Sequence, residues 1–437
     1  MPRHALSSTI HAPRGGGQVM TVLSVVLPVY GQWALTEACL MSLARCTPGA
    51  FYQVIVVDNG SADETPARCP ELLRALFGER GLHLRMEENL GFAAACNAGA
   101  RTASSQHLLL LNNDTELTPG WPDPLFRALR DDPRLGAVSP LLLFPGSRRV
   151  QHLGVSFDPN LHPLHLFSGF PGDHPAATRP RTFQAVSAAA LLLPRDLFLD
   201  LGGFHEGFRN GSEDLDLCCR LKRSGMRVAC EPRSVFLHHT SRTEGRFDHV
   251  EDNARLLDQR CRGCFSTDLQ RYAHLEGLRI RLTPWLEPYL AAAHLPPLTK
   301  APCELADLLH EHPLHTEAHR TLVAHLQDSG DGEGALEWQE LLCGFHPSVE
   351  HFSEAARLAM LTAKPDQEAR WRGRLAHVER LLAEPERIVE RAARNRDWFR
   401  ESGDRDMETL YRSWIDRRAL QGISLPVLDL LRNVSGR

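Results

Sequence analysis

Short apolar, β-branched runs alternate with helix-periodic stretches through the first quarter of the chain. Residues 22–27 form one run, stopped by Pro28; residues 54–57 form a second, ending at Asp58; residues 108–111 form a third, ending at Asn112. Unbroken apolar runs of that length predict strands buried on both faces. Between the first two, Leu35, Cys39, Leu40 and Leu43 recur at helical spacing across 33–46. A small-residue helix follows over 92–101, entered from Asn89-Leu90-Gly91. This alternation predicts an α/β fold, a parallel sheet with helices on its faces. Ligands of such sheets sit beyond the carboxyl ends of the strands. All three strands end there in polar residues: Pro28-Val29-Tyr30, Asp58-Asn59-Gly60-Ser61 and Asn112-Asn113-Asp114.

From 136 to about 264 strands are predicted at 150–157, 188–193, 226–230 and 235–237. A helix headed by Glu213 lies among them and ends at Gly225, a natural stop. Alternation is no longer strict, so this half is a mixed sheet with antiparallel pairing. Pro284, Pro288, Pro296 and Pro297 mark a linker or broken helical segment, after which the pattern is almost wholly helical. His312-Pro313 recurs as His346-Pro347, and Gly330-Asp331-Gly332 turns the chain between paired helices. That spacing is tetratricopeptide-like; a plain helical bundle is the other reading. Trp398, Phe399, Tyr411 and Trp414 punctuate a charge-rich end that predicts one or two cap helices. The expected divisions are a flexible tail (1–20), an α/β domain (21–265), a linker or helical connection (266–300) and a helical domain (301–437).

At 437 residues the chain exceeds one ordinary core. The 49 basic and 54 acidic residues leave a net charge of −5, too mild to argue for nucleic acid or an anionic membrane. No apolar run approaches the ~18–20 residues of a spanning helix, and residues 1–20 hold no apolar signal-peptide stretch. Eleven cysteines, an odd number without framework spacing, suit free thiols in a reducing cytoplasm. Cys261 and Cys264 make a lone CxxC with no second pair.

Glu213, Asp214 and Asp216 crowd the head of an apolar, helix-periodic run. Three acids that close repel one another unless cations or a helix N-terminus offset them, or a site uses them. In one reading Ser212 caps the helix, the acids complement its dipole, and Leu217 and Leu221 face a core. In the other the acids are catalytic.

Residues 21–246 resemble a family 2 glycosyltransferase of the GT-A fold, most like its rhamnosyltransferase-type members. The resemblance rests on motifs in family order: Val25 to Tyr30, Val56 to Ser61, Glu88 to Phe92 with Asn97 to Gly99, Leu110 to Glu116, Gly202-Gly203-Phe204, Glu213-Asp214 and His238. It implies an inverting transfer of sugar from a nucleoside diphosphate, UDP- or dTDP-linked, to a hydroxyl on a surface glycan or protein. Asp214 is the expected general base with Glu213 orienting it, and Asp216 supports the site. Asn112-Asn113-Asp114 stands where the family has Asp-x-Asp, so Asp114 is the expected ligand of Mn²⁺ or Mg²⁺. Asn112 offers at most a neutral oxygen to the ribose or a bound water. His238, favoured over His239, completes the metal shell. Asp58 contacts base or ribose, with Gly60 letting the backbone approach; Pro28 and Tyr30 line the base pocket, Tyr30 by stacking or as core. Asn89 joins the donor set, and Asn97 reads as a surface amide. Gly203 and Phe204 lie where an acceptor contact is expected, although His205 replaces the family's usual acid. Ser241, Arg242 and Arg246 are a phosphate-contact option or a solvated basic loop. The expected location is cytoplasmic, compatible with peripheral attachment to an inner membrane face. The helical domain offers a protein-binding surface, and the alternative function is a degenerate transferase acting as a scaffold through it. A nucleotidyltransferase would need a Gly-rich basic loop after the first strand, and a processive synthase would need membrane helices.

Overall fold

A computed structural model describes residues 22–49, 51–239, 249–298, 301 and 304–420. The expected tail (1–20) and Ser241, Arg242 and Arg246 lie outside them. The described residues fall into two compact units, one drawn from 1–155 and 178–265, the other from 156–177 and 266–437. Residues 156–177, read from sequence with the α/β domain, thus cluster with the C-terminal elements.

The first unit opens with β1 (Leu23–Val29), α1 (Trp33–Cys46), β2 (Tyr52–Asp58), α2 (Thr65–Phe77), β3 (Gly81–Arg85), α3 (Phe92–Thr102) and β4 (His107–Leu111). It continues with β5 (Thr115–Leu117), α4 (Pro122–Asp131), β6 (Leu135–Leu143) and β7 (Val150–His152). A small hairpin, β8 (Val155–Phe157) and β9 (Pro163–His165), which falls almost wholly in the second unit, precedes β10 (Arg181–Phe183) in the chain. Then come β11 (Ala190–Pro194), α5 (Arg195–Asp200), α6 (Glu213–Arg223), β12 (Arg227–His238) and α7 (Val250–Cys261). The main sheet runs β10-β12-β6-β11-β4-β1-β2-β3, with β5 against β12 and β7 against β6. Strands β1 to β4 pair in parallel, whereas β11 is antiparallel to both β4 and β6. Every residue of β1 and β2 is buried, as continuous apolar runs require of strands covered on both faces.

Three boundaries differ from the sequence pattern. β1 runs through Pro28, because its ladder with β4 ends at Val26 and the Val29 carbonyl faces β2. The missing Pro28 N–H therefore falls on the side already unpaired. The strand expected over 150–157 is cut into β7 and β8 at Gly154, where φ is 148° and a Cβ would lie 2.4 Å from the Phe183 ring. The strands expected at 226–230 and 235–237 are one, β12, whose register shift between Glu231 and Val235 absorbs Pro232. Helix α6 ends as expected, with Gly225 at φ 81° just beyond it.

In the second unit the expected linker carries α8 (Leu269–Leu275) and a hairpin of β13 (Leu278–Leu282) and β14 (Pro288–Ala292). The hairpin turn puts Trp285 and Leu286 into an apolar cluster with Phe352, Phe399, Tyr411 and Trp414, so tertiary packing orders a proline-rich segment. Helices α9 (Leu305–Glu311), α10 (Thr316–Asp328), α11 (Gly332–Phe345), α12 (Val349–Leu361), α13 (Pro365–Leu382), α14 (Pro385–Ser402) and α15 (Arg405–Leu420) follow. The two His-Pro pairs precede α10 and α12, and α10–α11 and α12–α13 pack as successive pairs. Asp331 and Ser348 cap α11 and α12 by accepting from Gly334 N and His351 N at 2.9 and 3.1 Å. Among the described residues no helix is long and apolar enough to cross a membrane.

Candidate active site

Strand register gathers the polar ends. Because Ala190 pairs with Leu111, Asn112 N–H donates to the Ala189 carbonyl at 2.8 Å, beside the start of β11. One residue earlier, Ala188 N–H donates to Asp214 Oδ2 at 3.3 Å. β5 pairs His238 with Thr115, which sets His238 next to Asp114, with Nε2 3.1 Å from Asp114 Oδ1. Residues separated by more than a hundred positions thus converge at one sheet edge: Asn112, Asp114, Asp214 and His238.

Both members of the Asp114–His238 pair are buried. Gln151, on β7, holds the imidazole: its Nε2 donates to the His238 carbonyl at 2.9 Å, and its Oε1 accepts from His238 Nδ1. An amide nitrogen committed to a carbonyl fixes which end is oxygen, so Nδ1 carries a proton and Nε2 is the ring nitrogen that faces Asp114. An imidazole nitrogen beside a carboxylate is a donor pair that would suit a divalent cation. Among the described residues no cluster of three or more His, Cys, Asp or Glu side chains could hold a metal by itself. Asn113 is tied to Thr36 at 3.0 Å, while Asn112 Oδ1 is buried without a hydrogen-bond partner. His239 is exposed and pairs with Glu116 at 2.6 Å.

The acids heading α6 divide. Glu213 turns back to accept from Gly211 N–H at 2.7 Å, and Asp214 also accepts from Leu215 N–H. Ser212 occupies the cap position but makes no side-chain cap, contrary to the capping reading. It and Asn210 hold left-handed backbone, φ 73° and 51°, a strained entry of the kind that clusters at functional sites. Asp216 is 1% exposed and locked between two guanidinium groups: Arg220 Nε at 2.9 Å and Arg260 Nε at 2.6 Å. It braces α6 against α7.

At the nucleoside end, Asp58 is fully buried, accepts from Ser61 N–H at 2.8 Å and is ion-paired with Arg85. Both of its oxygens are engaged inside the protein, and the half-exposed Arg85 side chain faces outward beside it. Burial lowers the His83 pKa beside it. Gly60 is required, since φ is 82° and a Cβ would sit 2.8 Å from the Glu88 carbonyl carbon. Asn59 joins this turn to the next loop, donating to Asn89 Oδ1 at 2.8 Å. Pro28 is buried in β1, and Tyr30 is exposed, which excludes the core reading.

Two expectations near Gly203 change. Asn97 is not a surface amide: buried, it donates to the Phe204 carbonyl and Glu206 Oε1 and accepts from Phe204 N–H, all at 2.8–2.9 Å. Gly203 must lack a side chain, because a Cβ would meet Asn97 Oδ1 at 2.3 Å. Phe204 is 1% exposed and packs against Phe92 and Phe198, so its ring has no surface to offer an acceptor. Cys261 and Cys264 join Cys219 in a buried cluster where burial raises the thiol pKa values, Cys264 to about 11. Gln151, Arg85 and Arg260 escaped the sequence reading; the only trace of Gln151 was a polar pair, Gln151-His152, inside an apolar run.

The profile of "Glycosyl transferase family 2" matches residues 24–191. An "O-antigen biosynthesis protein RfbC" of Myxococcus xanthus is 33% identical over 50% of this chain and 17% of its own length. An "N-acetylglucosaminyl-diphospho-decaprenol L-rhamnosyltransferase" of Mycobacterium tuberculosis is 28% identical over 52% of this chain and 78% of its own. The chain spans 17% and 26% of the length of two curated relatives it matches and just under half of others. A solved structure of GalNAc-T7 with UDP, GalNAc and Mn²⁺ superposes with a TM-score of 0.44 at 20% identity, covering 52% of this chain and 44% of that one. The mixed sheet flanked by helices is the α/β arrangement the residue pattern predicts. Over residues 24–191 the chain is thus similar to glycosyl transferase family 2.

Proposed function

We propose that the chain is an inverting glycosyltransferase that moves a sugar from a UDP- or dTDP-linked donor to a hydroxyl of a growing surface glycan. The observation that carries this reading is the convergence of Asp214, on the Ala188 amide, with the Asp114–His238 pair at the same sheet edge. Asp214 takes the proton of the acceptor hydroxyl as that oxygen attacks the anomeric carbon. The bond to the diphosphate breaks on the opposite face, inverting the centre. Glu213, turned back onto Gly211, stiffens the entry to α6 and so the aim of Asp214. Asp114 and His238 would hold a divalent cation, which when bound offsets the charge developing on the leaving diphosphate. The exposed Tyr30 offers its ring to the base, and Asn112 Oδ1 its vacant acceptor to a ribose hydroxyl. The O-antigen and rhamnosyltransferase names of two relatives favour a glycan acceptor and a deoxyhexosyl donor.

Thermal-shift titration with UDP, dTDP and GDP sugars, with and without Mn²⁺, tests the donor site; a metal-dependent rise for one nucleotide is expected. Asp214→Asn should then lower turnover by ~10²–10⁴-fold with donor affinity nearly unchanged. Full turnover in that variant removes Asp214 from the base role, and no shift with any nucleotide favours the scaffold reading.

A further inference from the structure

We propose that Gln151 is a positioning residue that sets the tautomer and aim of His238 toward the cation site, an inference resting on the donor-site reading above. Gln151 is 8% exposed, so its hydrogen bonds are made in a place where leaving one unmade is costly. Two of them go to one residue: the amide nitrogen to the His238 backbone carbonyl, the amide oxygen to the ring Nδ1. The backbone bond fixes the amide against a flip, and the ring bond then keeps a proton on Nδ1. Nε2 is the ring nitrogen turned to the cation site, 3.1 Å from Asp114 Oδ1. Without the amide oxygen the ring could carry its proton on Nε2 instead and donate it to Asp114, closing the position a cation would take.

The same short strand braces the other arm of the site. His152, 1% exposed, accepts from Ser187 N–H through Nε2 at 3.1 Å. The next residue, Ala188, supplies the amide on which Asp214 rests. Consecutive residues of a strand point to opposite sides, so Gln151 reaches β12 while His152 reaches the approach to β11. The pairing of β7 with β6, Leu142 opposite His152, holds both in register. One dipeptide therefore sets the spacing between the cation pair and the general base, and this explains a polar pair inside an otherwise apolar run.

The test uses the full chain with Mn²⁺ and, in turn, UDP, dTDP and GDP. Mn²⁺ affinity is read by electron paramagnetic resonance, and directly bound imidazole nitrogen by its electron-spin-echo modulation at saturating Mn²⁺. Gln151→Met keeps the volume and removes both hydrogen bonds. It should weaken Mn²⁺ binding about 10–100-fold, the usual effect of losing a residue that orients a ligand, and lose the nitrogen modulation. Gln151→Glu keeps an oxygen on Nδ1–H and should retain the modulation. A merely structural role would lower the melting temperature of Gln151→Met and leave its modulation intact, which overturns the proposal. If Gln151→Met does not fold, Gln151→Glu decides, since loss of modulation there also overturns it. His238→Ala separates the two failures. Unchanged modulation in that variant, or no Mn²⁺ binding by the parent with any nucleotide, sinks the donor-site reading itself.

Discussion

Replacing Asp216 by Asn tests whether the third acid of α6 is a brace or a reactant. Its carboxylate, 1% exposed, accepts from Arg220 Nε at 2.9 Å and from Arg260 Nε and Nη2 at 2.6 and 3.4 Å, with Arg220 Nη2 in ion-pair contact at 2.8 Å. Asparagine offers one oxygen and an NH2 group in that place, so one guanidinium meets a donor and loses its charge-assisted bonding. Each such bond contributes about 1.5–3 kcal/mol. The Arg220 and Arg260 side chains are 17% and 30% exposed and regain part of that from water, leaving an expected loss of about 2–4 kcal/mol. Urea unfolding followed by circular dichroism should show an earlier midpoint with unchanged slope for the transition of the first unit. Donor binding should persist, with turnover falling only as far as Asp214 loosens. Unaltered stability together with a collapse of turnover would refute the brace and move Asp216 into the chemistry.

Four other outcomes follow from the geometry. Gly60→Ala forces a Cβ against the Glu88 backbone at φ 82°; it should abolish nucleotide-dependent thermal shifts while the helical unit keeps its own transition. His351 is buried, with Nδ1 donating to the His346 carbonyl and Nε2 accepting from Arg320, and burial holds its pKa, like that of His346, below 6.5. The unfolded chain therefore takes up protons first as pH falls through about 6.5, and the melting temperature should be lower at pH 5.5 than at 7.5, less so in His351→Asn; a flat profile refutes this. The ten described thiols are all buried, those of Cys39, Cys69 and Cys230 pushed up to about 12. They should resist an aromatic disulfide reagent until the protein unfolds, and rapid labelling of any of them in native protein contradicts the packing. Asn97→Ala strips both buried backbone groups of Phe204 of their partner and should destabilise the first unit by about 2–5 kcal/mol in the same urea assay.

Much of this chain was legible from its residues. Buried strands and amphipathic helices follow from local periodicity, so β2, α1, α3 and β4 lie where the pattern put them, α1 to the residue. Helix ends depend on one or two residues with special backbone preferences, and Gly225 served as such a signal. Motif order identified the polar strand ends and the acids of α6, since chemistry restricts which side chains can stand there. Distance was beyond the sequence. That His238 meets Asp114, and not His239, depends on the register of β5 against β12, where a slip of one residue exchanges the faces. That Asp58 is sealed by Arg85, Asp216 by Arg260 and Asn97 by the Phe204 backbone depends on contacts between elements far apart in the chain. Gln151 carries no motif at all; only the pairing of β7 with β6 brings it beneath His238. The sequence set the elements and the chemical inventory, because those rest on each residue's own preferences and near neighbours. Only the tertiary structure decided which polar groups reach a ligand and which hold one another, because burial and long-range register assign every hydrogen-bond partner.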